Sequence, residues 1–251
     1  MRADVFLFQY GHAQSRQRAQ MLIDSGCVSI DGVLVTKASQ QVDEGEHTVS
    51  VRDAISYVGR GGLKLEAALD AFFIDVRQKL AIDIGASTGG FTECLLRRGA
   101  RGVIAVDSGR GQLAKSLLED PRVINLEQTN ARSLTVEQIG GERADLIVMD
   151  VSFISATYIL PRFSDLLTEE GEAVCLIKPQ FEVGRAYLGK GGVVKDPRAH
   201  KMAQERVAQA ARECGFAVKE IIPSPIVGGD GNKEFLAHLV RDRDVPSNTD
   251  F

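Results

Sequence analysis

The chain has 251 residues, 44% hydrophobic and 25% charged, the composition of a globular protein with room for one large domain, or one ordinary domain and a small second one. Its formal charge of −4 excludes a globally basic nucleic-acid binder but not a local basic surface. No run approaches the ~18 apolar residues of a membrane helix, the N-terminus lacks the apolar core of a signal peptide, and the cysteines (Cys27, Cys94, Cys175, Cys214) and four histidines have no zinc-site or disulfide spacing. These features predict a protein of the reducing cytoplasm, with no metal site and no membrane partner.

A change of pattern near 53–60 divides the chain into expected domains 1–58 and 59–245. In the first, Val5, Leu7 and Phe8 offer an apolar face on a segment ended by Gly11. Ser15 can cap a second helix that Gly26 stops. Ala19, Leu22 and Ile23 fall at i, i+3, i+4 and should face a core, while Arg16 and Gln20 share the other side. Asp31-Gly32 between apolar runs at 28–30 and 33–35 is a hairpin signal. In the second domain, apolar runs at 80–84, 103–106, 123–126, 145–149 and 173–177 read as buried parallel strands. Helical stretches lie between them, for example 91–98 and 112–119, and two more strands, 217–222 and 235–240, come near the end. This alternation predicts an α/β fold with a doubly wound parallel sheet.

The strand at 80–84 carries Asp83 and runs into Gly85-Ala-Ser87-Thr-Gly89-Gly90. Glycines at such a turn let backbone approach a ligand, and the next helix offers its N-terminal amides. Asp107 ends the following strand, about 20 residues on, where a carboxylate can accept both hydroxyls of a ribose. A dinucleotide site would want Gly-x-Gly-x-x-Gly. The pattern here, Asp-x-Gly-x-x-x-Gly-Gly, puts an acid where it suits the cationic methionine end of S-adenosylmethionine and repels pyrophosphate.

Strand C-termini of an open α/β sheet face the ligand crevice. Asp150 follows the fourth strand and Lys178 the fifth; Lys64 sits just before the first and Glu234 opens the last. Two lysines with two acids can act as a base toward an alcohol. A lysine must be neutral to take a proton, which partial burial and a second cation favour. Any one of these residues could equally belong to an ordinary ion pair at a sheet edge. An exocyclic-amine methyltransferase would carry a proline pair after the fourth strand, where this chain has Asp150-Val-Ser-Phe153, and Cys175 inside a strand reads as a small buried hydrophobe.

Residues 81–92, Thr129-Asn-Ala-Arg132, Asp150-Val-Ser-Phe-Ile-Ser155, Lys178-Pro-Gln-Phe-Glu-Val-Gly184 and Gly191-Gly-Val-Val194 resemble the TlyA haemolysin-like rRNA methyltransferases, relatives of the FtsJ-type 2′-O-methyltransferases. Residues 15–20 and 28–32 look like the alpha-L, or S4-type, RNA-binding module of a ribosomal protein. The resemblance runs from about residue 2 to residue 241. It implies a Rossmann-like class I methyltransferase sheet with a small N-terminal α+β RNA-binding domain. It further implies S-adenosylmethionine as cofactor, held by Asp83, Gly85, Ser87, Gly89, Gly90, Asp107 and Asn130. Lys64, Asp150, Lys178 and Glu234 match a Lys-Asp-Lys-Glu catalytic tetrad, with Lys178 as proton acceptor, and the substrate is a cytidine ribose in the rRNA of a ribosomal subunit.

Residues 1–60 hold six basic and seven acidic residues, so RNA contact there depends on placement and not on net charge. Arg2, Ser15, Arg16, Arg18, Gln20, Lys37 and Arg60 are the candidates. The glycine-rich stretch 184–198, with Arg185 and Lys190, is a second basic segment able to close over a nucleotide. The short N-terminus and tail favour the large subunit as substrate, with the small subunit as the alternative. The alternatives are an RNA-binding protein with a vestigial cofactor fold and a membrane-active toxin.

Overall fold

The computed structural model describes residues 1–13, 15–24, 26–43, 45–51 and 57–242. Residues 53–56 of the expected dividing segment, and 243–245 of the second expected domain, lie outside the described residues. The chain separates into two compact units, Met1–Arg60 and Gly61–Phe251.

The first unit contains α1 (Ala3–Gln9), α2 (Arg16–Asp24), β1 (Val28–Ile30), β2 (Val33–Leu34) and β3 (Val49–Val51). Its three-stranded antiparallel sheet has the order β2-β1-β3; β3 was not among the expected strands. Ser15 Oγ accepts the Arg18 amide at 3.1 Å and so caps α2. Ala19, Leu22 and Ile23 are buried beside Phe6, Leu7 and Val28. The expected face of the first helix is corrected: Phe6 and Leu7 point inward while Phe8 is 45% exposed. A period of 3.6 residues puts Ala3, Phe6 and Leu7 on one stripe and Phe8 off it. Asp31 and Gly32 both have positive φ, 51° and 77°, in a tight turn closing Ile30 onto Val33.

The second unit runs α3 (Gly61–Ala71), β4 (Leu80–Ile84), α4 (Gly90–Arg97), β5 (Gly102–Val106), α5 (Lys115–Leu118), β6 (Val123–Leu126), β7 (Ala144–Met149), α6 (Phe163–Leu166), β8 (Leu167–Ile177), α7 (Pro179–Glu182), α8 (Pro197–Glu213), β9 (Phe216–Pro223) and β10 (Phe235–Arg241). The sheet has seven strands in the order β6-β5-β4-β7-β8-β10-β9. Strands β6 through β8 are parallel, as expected, and β10 is antiparallel to both β8 and β9. The sheet is therefore mixed, a doubly wound parallel core with an antiparallel edge.

Two expected elements differ. The helix at 112–119 shrinks to α5, because Glu127 accepts the amides of Gly111 and Gln112 at 2.7 and 3.1 Å and holds that chain as a loop. Strand β8 begins at Leu167, earlier than 173. The long α8 was not among the named helices. Asp196 caps it, Pro197 starts it, and Ala199, Ala203, Val207 and Ala211, four apart, form its buried stripe. The last three pack with Ile147, Cys175 and Phe216 in the main core, which covers one sheet face.

Candidate active site

The sheet order brings three of the four tetrad candidates to one edge. Asp150 directly follows β7 and its amide donates to the Ile84 carbonyl at 2.9 Å. Lys178 directly follows β8 and Glu234 directly precedes β10. Because β10 runs antiparallel to β8 with Phe235 opposite Ile177, Glu234 and Lys178 come next to each other beyond the last pair. The expected place of the fourth member is corrected: Lys64 lies not just before β4 but on α3, whose buried stripe contains it with Leu65 and Ala68. Lys64 Nζ donates to Glu234 Oε2 at 2.5 Å, with side chains only 8% and 3% exposed. Such a buried pair is costly to desolvate and holds only where its geometry is this close.

The Lys178 ammonium lies 2.6 Å from Asp150 Oδ1. The pair is an ion pair in which, among the described residues, the buried Oδ1 accepts no hydrogen bond, and Lys178 Nζ also donates to Ser152 Oγ at 2.6 Å. Ser152 and its neighbour Phe153 were legible in the sequence motif but given no role. Phe153 is 92% exposed and has φ +66°, an unfavourable backbone for a bulky residue. Its ring lies 5.4 Å from that of Phe181.

The glycine loop abuts this edge. Gly85 has φ +85°, and a side chain there would overlap the Asp150 carbonyl, so only glycine lets strand β4 and the Asp150 segment meet. A side chain on Gly89 would collide with Leu113 and Leu117, and Gly90 opens α4. Ser87 donates its amide to Asp107 Oδ2 at 2.8 Å and its hydroxyl to Gln112 at 3.2 Å; Asp107 Oδ1 takes the Gly109 amide at 2.7 Å. Asn130 is exposed, and its carbonyl oxygen accepts the Arg132 amide at 3.0 Å. Asp83 is fully buried beneath the loop and accepts the Thr92 hydroxyl at 2.7 Å, while among the described residues its Oδ1 has no hydrogen-bond partner. Burial pushes its carboxyl up to about 7; Thr92 opposes this and the nearby charges of Asp150 and Asp107 add to it.

In the first unit, Arg2, Arg16 and Gln20 converge on one buried carboxylate, Asp4, at 2.9, 3.2 and 2.7 Å. The two guanidinium side chains stay about half exposed, at 46% and 54%. They hold the Asp4 carboxyl well below its usual range, Arg2 contributing most. Arg18 donates to the Tyr57 carbonyl at 2.9 Å, Ser15 is engaged as the α2 cap, Lys37 is exposed and Arg60 half-buried.

In the second unit several arginines away from the site are matched by an acid: Arg77 by Asp75, Arg98 by Asp70, Arg101 by Glu142, Arg122 by Asp120. Arg185, Lys190, Lys195 and Arg198 are exposed and, among the described residues, form no ion pair.

The FtsJ-like methyltransferase family matches residues 57–241, and the S4 domain matches residues 1–47. The chain belongs to the FtsJ-like methyltransferase family. It is 46% identical over 239 residues to the 16S/23S rRNA (cytidine-2′-O)-methyltransferase TlyA of Mycobacterium tuberculosis, covering 95% of this chain and 89% of that one. It is 37% identical to the 23S rRNA (cytidine-2′-O)-methyltransferase TlyA of Campylobacter jejuni, over 74% of this chain and 71% of the relative. A solved structure from Streptococcus thermophilus, described as a hemolysin, matches with TM-score 0.77 and 40% identity over 98% of this chain and 92% of that one. An S-adenosylmethionine dependent methyltransferase from Mesorhizobium loti shares the fold of this FtsJ-like chain at TM-score 0.55 and 15% identity, over 73% of this chain and 100% of the other. Among the described residues no helix is long and apolar enough to cross a membrane.

Proposed function

We propose that this FtsJ-like chain transfers a methyl group from S-adenosylmethionine to the ribose 2′-hydroxyl of a cytidine in rRNA. The observation that carries this reading is the meeting of two lysine–carboxylate pairs, Lys178 with Asp150 and Lys64 with Glu234, at the sheet edge that the glycine loop abuts. Ordinary surface ion pairs do not require four charged side chains at that one edge.

The residues present fit the cofactor. The cradle at Gly85 tolerates no side chain, and the unpartnered Asp83 Oδ1 is a buried acceptor suited to a cationic group. Asp107 would take the ribose hydroxyls, the free amide NH₂ of Asn130 would meet the adenine ring, and Gly85, Ser87, Gly89 and Gly90 would line the methionine end. Bound S-adenosylmethionine supplies an electrophilic methyl group and a sulfonium charge. Lys178, made neutral by giving one ammonium proton to solvent, takes the proton of the 2′-hydroxyl at Nζ, while Asp150 and Ser152 orient that amine. Lys64, held by Glu234, adds positive potential where the alkoxide forms.

The S4-type unit (1–58) supplies RNA affinity through Arg2, Arg16, Arg18, Lys37 and Arg60, with Ser15 and Gln20 in support, and the methyltransferase unit (59–245) supplies the chemistry. The unpaired Arg185, Lys190, Lys195 and Arg198 face no competing acid, so their charge is available to phosphates. A cavity of about 460 Å³ bordered by Glu234 extends toward Lys201 and Lys233 and has room for a nucleotide beside the target. The target nucleotide itself leaves its helix to reach the site. Ribosomal RNA as substrate puts the protein in the cytoplasm. The names of the two relatives above share 23S rRNA and the Mycobacterium tuberculosis name adds 16S rRNA, so large-subunit RNA is the proposed substrate with small-subunit RNA as the alternative.

The test is methyl transfer from labelled S-adenosylmethionine to isolated ribosomal subunits, followed by digestion to nucleosides. Label in 2′-O-methylcytidine of large-subunit RNA is the expected result. Label on a base overturns the tetrad chemistry, and no label on either subunit overturns the proposed substrate.

A further inference from the structure

Glu182 is a buried carboxylate that the chemistry above does not use. It is 3% exposed and sits at the end of α7, four residues after Lys178. Ser155 Oγ donates to its Oε2 at 2.5 Å and the Ala156 amide donates to its Oε1 at 2.8 Å. Burial raises its carboxyl pKa, opposed by those two bonds and by Arg206. Arg206 on α8 fastens the same turn, donating to the Glu182 carbonyl at 2.7 Å, with its Nε 3.9 Å from Oε2. A carboxylate leaves water only where its acceptors are filled, and here they are filled by one segment, 155–156.

That segment ends the stretch beginning at Asp150. Between them lie Ser152, which accepts from Lys178, and Phe153, whose φ of +66° places it in the left-handed region. A non-glycine residue there is strained and persists only when its surroundings over-determine it. The near end is tied by the Asp150 amide to Ile84 and the far end by Ser155 and Ala156 to Glu182. The far tie lands on the short helix that begins at Lys178, so one side chain joins the segment carrying Asp150 to the segment carrying Lys178.

We infer that Glu182 is a positioning residue for methyl transfer: its carboxylate holds the strained 150–156 segment against α7, setting Asp150 and Ser152 on the Lys178 amine and aiming Phe153 outward. This rests on the reading of Lys178 as proton acceptor. A misplacement of about 1 Å at a reacting group can cost on the order of 100-fold in rate.

The experiment compares the full-length wild type with Glu182→Ala, Glu182→Gln, Ser155→Ala and the Ser155→Ala/Glu182→Ala double variant. It reads kcat and KM for labelled transfer to large ribosomal subunits, calorimetric affinity for S-adenosylmethionine, and Tm. Glu182→Ala should lose roughly 100-fold in kcat, with subunit KM and cofactor affinity unchanged. Glu182→Gln should recover most of the rate, because its amide can accept from Ala156 and donate to Ser155 Oγ, which then turns its proton to Thr157. Ser155→Ala should slow transfer, and the double variant should be no slower than Glu182→Ala. A folded Glu182→Ala at wild-type kcat overturns the inference, as does a Gln variant as slow as the Ala variant or a loss confined to KM. If Glu182→Ala does not fold, the Gln and Ser155 variants decide on the same criteria. A wild type that methylates neither subunit overturns the proposed function itself, a result distinct from an active wild type matched by its Glu182 variant.

Discussion

The Lys64 ammonium reaches Glu234 Oε2 at 2.5 Å across 170 residues of chain, and both side chains are buried. Removing one partner strands a charge in a low-dielectric site, which costs about 3–5 kcal/mol. Lys64→Met should therefore lower stability by that order in chemical denaturation. Lys64→Met with Glu234→Gln should regain much of the stability and none of the methyl transfer. Equal recovery of both would reduce the pair to a structural role.

Lys178→Ala and Lys178→Arg separate charge from basicity. Arginine keeps the cation beside Asp150 but cannot release its proton. Both variants should lose about 10²–10⁴-fold in kcat, the usual worth of a general base, while calorimetric binding of S-adenosylmethionine persists. An active arginine variant would remove Lys178 from the proton-accepting role.

Asp83 makes stability depend on pH. Its folded pKa of about 7 stands above the ordinary 3.8, so the native state holds its proton more tightly than the unfolded chain. The stability it contributes is full below about 4 and is lost as pH rises through about 7, up to roughly 4 kcal/mol. Asp83→Asn should be more stable than wild type at pH 8, with the gap narrowing toward pH 4, and should bind cofactor more weakly. Melting curves that run parallel across this range would contradict the assignment.

Asp4 anchors Arg2, Arg16 and Gln20 at once. Asp4→Ala should destabilise the first unit by about 2 kcal/mol and weaken RNA binding, although it removes a negative charge. Arg16→Ala should instead flatten the salt dependence of binding by about one unit of slope. Tighter RNA binding by Asp4→Ala would mean that net charge, and not placement, governs affinity.

Phe153 is almost wholly exposed in a strained backbone. Phe153→Gly relieves the strain and should leave Tm equal or higher while slowing transfer to subunits. Unchanged kinetics would deny the ring a place against the substrate.

The parallel strands β4 to β7, the glycine loop and the hairpin at Asp31-Gly32 were legible from local pattern alone. Buried strands must be apolar, and tight turns must carry residues that tolerate positive φ, so these signals lie within a few consecutive positions. Three of the tetrad positions, Asp150, Lys178 and Glu234, were legible as strand ends because they border apolar runs, whereas Lys64 on α3 entered the tetrad through the family resemblance. The first helix was misread because Phe8 looks as apolar as Phe6, and only packing shows that Phe6 turns inward. The glutamate in Lys178-Pro-Gln-Phe-Glu182 lay inside a quoted motif yet carried no sign of its target, Ser155.

The sequence by itself determined the class of fold, the glycine loop and the residues bordering one edge of the sheet, because periodicity and turn chemistry are properties of neighbouring residues. Only the tertiary structure decided that β10 inserts antiparallel between β8 and β9, that Lys64 pairs with Glu234, that Ser152 shares Lys178 with Asp150, and that Asp4 gathers two arginines. Most of these are contacts between side chains distant along the chain. They are chosen by which surfaces the sheet order buries together and by the cost of leaving a buried charge unpaired, and neither is written in the spacing of residues.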